Sequence, residues 1–85
     1  MNMEALQNLE IDRVRTMAES LDCFIEEDFQ QLAGATANTI EAWRKRGTGP
    51  AYIRLGTRYL YPRKAVAKHL ESITRERVSF GKAVL

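Results

Sequence analysis

A mainly α-helical chain with one small β-hairpin is the fold class that this sequence predicts. Three observations lead there. Apolar residues recur at helical spacing in four separate stretches. Glycines stand at Gly34, Gly47 and Gly56, where a periodic stretch ends or reverses. Two short runs rich in Tyr, Ile and Leu flank Gly56-Thr57, a pair that suits a two-residue type II′ hairpin.

Taken in order, the first helix is expected over 3–21. Met3, Leu6, Val14, Met17 and Leu21 share one side of it, Glu10 interrupts that stripe, and Leu9 and Ile11 fall off it. Such a stripe does not face water alone. It either packs back on its own domain or pairs with another copy, and we expect pairing, as a dimer or a cooperative array. Residues 23–25 read as a short extended link. A second helix follows over 26–33, with Glu26, Glu27 and Asp28 in its first turn, where carboxylates complement the helix dipole. Phe29, Leu32 and Ala33 form its inner face, and Gly34 ends it. Thr36 caps a third helix over 37–46. Gly47-Thr48-Gly49-Pro50 cannot continue that helix. Strands are expected over 51–55 and 58–61. Their pairing sets Arg54 opposite Tyr59 and Tyr52 opposite Tyr61 on one face, with Ile53 and Leu60 on the other, packing onto the helices. Pro62 opens a last helix at its first position, with Val66, Leu70 and Ile73 as its apolar side. The division is an N-terminal amphipathic helix over 1–22, a domain over 23–73 and a C-terminal tail over 74–85.

Composition narrows the function. A chain of 85 residues allows one small domain whose core gains from a partner. Hydrophobic residues at 45% and charged ones at 28% fit a globular chain, and no run approaches the roughly 18 apolar residues of a membrane span. Glu4 and the lack of an early apolar run argue against a signal peptide, so a cytoplasmic setting is expected. The single cysteine, Cys23, excludes an internal disulfide and reads as a small buried apolar residue. His69 is the only histidine and nothing lies at ligand spacing, so neither metal nor cofactor is expected. Neither carboxylates set for acid–base work nor a glycine-rich phosphate loop appears. The expectation is a protein that is not an enzyme and has no small-molecule substrate. Charge is unevenly placed: residues 1–31 set two arginines against eight carboxylates, a net −6, and residues 32–85 set eleven Lys or Arg against three carboxylates, a net +8. The second part is built to meet a polyanion.

Two short helices joined by a tight turn, followed by a hairpin, make a helix-turn-helix with a β wing. In the helix over 37–46, Ile40 and Trp43 face inward, and Asn38, Glu41, Ala42 and Lys45 face out. That outer face suits the DNA major groove: Asn bonds adenine, Glu accepts from cytosine and Lys donates to guanine. Arg44, Arg46, Arg54 and Arg58, the last at the hairpin tip, are expected on the phosphate backbone, with the hairpin on the backbone or in the minor groove. Arg63 and Lys64 sit in the first turn of the last helix, where the dipole disfavours cations by a few tenths of a kcal/mol, so a phosphate partner gives a reason for them. With Thr36 at the helix start, these residues are the candidate double-stranded DNA site.

Residues 28–47, DFQQLAGATANTIEAWRKRG, resemble the helix-turn-helix of MerR-like and excisionase-like proteins. Gly49-Pro50, Tyr52 to Gly56, Arg58-Tyr59, Tyr61 and Val66 to Leu70 resemble the wing and closing helix of that group. Gln30, where the family usually has a small residue, and Ala35, where Val is common, depart from it. The resemblance implies a winged helix-turn-helix DNA-binding protein of phage or mobile-element type. That is either an excisionase acting beside an integrase or recombinase, or a small transcriptional regulator. Two alternatives stand beside it: a DNA-packaging module like the small subunit of phage terminase, and a protein-binding adaptor using the acidic N-terminal third.

Overall fold

The computed structural model describes residues 3–76. It is mainly helical with a small antiparallel sheet, in the order α1 (Met3–Ser20), β1 (Cys23–Ile25), α2 (Glu26–Ala33), α3 (Ala37–Arg46), β2 (Ile53–Leu55), β3 (Arg58–Pro62) and α4 (Arg63–Ile73). The expected tail lies outside the described residues from 77 onward.

The sheet has three strands, not two. Residues 23–25, expected as a link, form β1, which pairs with β3 in the register Cys23↔Pro62, Phe24↔Tyr61 and Ile25↔Leu60. β2 pairs along the other edge, with Ile53↔Leu60, Arg54↔Tyr59 and Leu55↔Arg58, so the order is β1-β3-β2. Asp22 makes the entry into β1 with φ 57°, a left-handed conformation that Asp tolerates better than most residues. Its carbonyl accepts from the Arg63 amide at 2.8 Å, tying the start of α4 to the end of α1. The hairpin turns as expected: Gly56 takes φ 62° and Thr57 stays out of the positive region. β2 starts at Ile53 rather than 51, so the expected Tyr52–Tyr61 pair lies beyond the end of the ladder. Pro62 closes β3 and is the N-cap of α4 (φ −57°, ψ 137°) rather than its first helical residue.

Because side chains alternate along a strand, neighbours in β3 feed different cores. Leu60 joins Cys23 and Ile25 beneath α1, where Ala18 closes the cluster and Ile11 and Val14 pack against it. Tyr61 joins Phe29, Ile40 and Val66 on the opposite side, with Phe24, Ala35, Trp43 and Tyr59 packed around them. α1 therefore docks on its own sheet, but of the expected stripe only Val14 takes part in the core. Ile11, Val14 and Ala18 make the contact, whereas Met3, Leu6, Met17 and Leu21 stay 51–70% exposed. The small Ala18, 3% exposed, lets the helix approach the strands closely, which the bulkier residues of the stripe would prevent. Ile53 is also exposed, against expectation, since α1 covers β1 and β3 and leaves edge strand β2 open. Arg15 clamps α1 to α2, its Nε lying 2.9 and 2.8 Å from the two Asp28 carboxylate oxygens.

Candidate nucleic-acid interface

The turn between α2 and α3 is built from backbone conformation and one cap. Gly34 ends α2 in the left-handed region (φ 63°, ψ 33°), and the Ala35 amide donates back to the Gln30 carbonyl at 3.0 Å. Thr36 then starts α3, its hydroxyl accepting from the Thr39 amide at 3.2 Å. Gly47 ends α3 in the same left-handed conformation, φ 69°. α3 is thus a short helix with defined ends, held by Ile40, which is 1% exposed, and by Trp43, edge-on to Phe29 with centroids 6.3 Å apart.

The opposite face of α3 is open. Thr36, Asn38, Lys45 and Arg46 are exposed. Glu41 is half-buried and reaches Lys45 one turn on, at 3.6 Å, a loose pair that solvent screens. Lys45 and Arg46 also stand in the last turn, where the helix dipole favours cations.

Arg44 departs from its expected role. It faces inward and is only 11% exposed at the side chain. Its Nη1 donates to Glu26 at the start of α2 and to the Tyr61 hydroxyl, the latter at 2.8 Å, and Tyr61 in turn donates to Glu26 at 3.0 Å. The guanidinium lies 3.7 Å from the centroid of the Tyr59 ring. With Nη1 bonded to Glu26 and Tyr61, the guanidinium against Tyr59 and the side chain largely buried, Arg44 is engaged within the protein, and the backbone-phosphate role is withdrawn. Arg44 is the tie that sets α3 against α2 and the hairpin. Burial drives the Tyr61 hydroxyl up from 10.0 to about 12, with the Arg44 hydrogen bond opposing and Glu26 adding to it.

The hairpin residues divide. Arg54 is exposed on β2, its guanidinium 6.0 Å from the Tyr59 centroid and its Nε 3.4 Å from the Gly56 carbonyl. Both contacts aim the charge without burying it. Arg58 is not free at the tip as expected. It is half-buried at the start of β3 and forms a loose pair with Glu27 in the acidic first turn of α2, at 3.6 Å. Gln30, the departure noted above, is half-buried in the cleft where Arg58 and Tyr59 meet α2. Arg63 and Lys64 are exposed at the start of α4, with Arg63 5.4 Å over the Phe24 ring at the β1 edge. Arg54 and Arg63 therefore occupy opposite edges of the sheet. The Glu26–Arg44–Tyr61 network was missing from the sequence reading. Its one local signal is that Arg44 follows Ile40 by one turn and so shares its inward side.

Among the described residues, no group of three or more His, Cys, Asp or Glu could hold a metal ion, and no helix is long and apolar enough to cross a membrane. No family model, no curated protein and no solved structure matches this chain.

Proposed function

We propose that this chain is a sequence-specific double-stranded DNA-binding protein of winged helix-turn-helix type, with α3 in the major groove and the β2–β3 hairpin against the backbone or in the minor groove. One observation carries the reading. α3 is anchored by Ile40 and Arg44 on one side and presents Asn38, Lys45 and Arg46 to solvent on the other. A rigidly held helix with short polar groups near its start and cations near its end suits base-edge readout. Asn38, Glu41 and Lys45 choose the sequence, and Arg46, Arg54, Arg63 and Lys64 hold phosphates. The protein has no catalytic role in this reading. It serves as an excisionase beside a recombinase, or as a small promoter-binding regulator.

The test is selection of binders from a random duplex pool, followed by salt titration on the selected duplex. Four phosphate contacts predict a slope of about −3.6 in log affinity against log salt. Failure to enrich any sequence, or an affinity indifferent to salt, refutes the proposal.

A further inference from the structure

α1 is only half used by its own domain. Among the described residues, Ile11 is the first that packs against either core cluster. The helix nevertheless continues back to Met3, and isolated helical segments this short are marginal in water. Beside the docked face runs a second seam: Met3, Leu6, Glu10, Arg13 and Met17, spaced alternately three and four apart as in a paired helix. All five are exposed. Glu10 and Arg13 form no ion pair within the chain among the described residues. Near the C-terminal end of α1 this seam adjoins an apolar groove of about 180 Å³ between α1 and the hairpin, lined by Met17, Leu21, Leu55 and Leu60 among others.

We propose that α1 is the interface between two copies of this chain, paired antiparallel about a two-fold axis passing between Ile11 and Asp12. That axis sets Leu6 beside the partner's Met17 and Glu10 beside the partner's Arg13, and each contact occurs twice. It also brings Met3 to the partner's Ser20, at the mouth of the groove containing Leu21 and Leu55. The order of charges selects the arrangement. A parallel pair would place Glu10 against Glu10 and Arg13 against Arg13, whereas the antiparallel one makes a neutral cluster of four alternating charges in an otherwise apolar seam. A single pair of 18-residue helices is a small interface, so the dimer forms in the micromolar range or weaker. This inference does not rest on DNA binding and is read without nucleic acid.

The experiment is sedimentation equilibrium of the full chain from micromolar to millimolar concentration. The wild type is expected to double its mass across that range. Glu10→Arg and Arg13→Glu, each at an exposed position, should keep the helical circular dichroism and weaken pairing at least about tenfold, since each turns two attractions into repulsions. The double variant Glu10→Arg/Arg13→Glu restores the alternation and should pair like wild type. A wild type that stays monomeric overturns the proposal, as it would if the face met an unlike partner instead. Single variants that pair unchanged, or a double variant that does not recover, also overturn it.

Discussion

Arg44→Ala separates a structural arginine from a DNA contact. Truncation removes two charge-assisted or polar hydrogen bonds, to Glu26 and to the Tyr61 hydroxyl, and the stacking of a guanidinium 3.7 Å from the Tyr59 centroid. Breaking a fully buried ion pair costs about 3–5 kcal/mol. Glu26 keeps 23% exposure, so water partly resolvates it once its partner is gone, and the lower end applies. We expect a loss of about 3 kcal/mol, a large part of the stability of a domain this size. In a thermal melt followed by circular dichroism that is a drop of roughly 12–24 °C. Arg44→Lys keeps the charge but loses the planar fork and should fall between. If Arg44 touched phosphate instead, Arg44→Ala would melt within a few degrees of wild type and merely bind DNA more weakly. That result would refute the buried-tie argument.

Titration of Tyr61 gives a second expectation. Its folded value of about 12 lies above the ordinary 10.0, so the folded state holds the proton longer than the unfolded one. Its titration then has no effect on stability well below pH 10, and stability falls as pH rises from about 10 towards 12. Urea midpoints at pH 9 and 11 should therefore diverge in wild type and converge in Tyr61→Phe, and equal divergence in both would contradict the assignment. On DNA, Lys45→Ala should cost roughly 1–3 kcal/mol against the preferred base at one position and relax the choice there. Arg46→Ala should weaken all duplexes alike and reduce the salt slope by about one, which competition binding across a set of single-base variants will show.

What could be read from the sequence was local. The caps of α3, the glycine ends of α2 and α3, and the hairpin register depend on residues within a few positions of each other, and they stand as expected. The open face of α3 followed from the same helical arithmetic. β1 could not be read that way. Cys23-Phe24-Ile25 is too short to carry a period, and it becomes a strand only because β3 lies alongside it. Apart from Val14, the docking face of α1 was misassigned for a related reason. The reading favoured the bulkiest apolar residues, but docking against a sheet rewarded Ala18 for being small. Arg44 was misplaced because a basic residue in a helix's last turn usually points to solvent. Its partners Glu26 and Tyr61 are 18 and 17 positions away, beyond any local pattern.

The seam between α1 and the sheet carries its own reporter. Cys23 is the only cysteine in the chain, 6% exposed, with its thiol 3.5 Å from the Leu21 carbonyl and Ala18 in the cluster above it. A thiol reagent cannot reach it while α1 stays in place, so the labelling rate counts how often the helix lifts. Should Ala18→Gly loosen the seam, labelling would quicken before the melt of the Tyr61 core moved. If both changed in proportion, α1 and the half that contains α3 would open as one cooperative body. A single alkylation time course thus measures whether the two sides of β3 are mechanically independent.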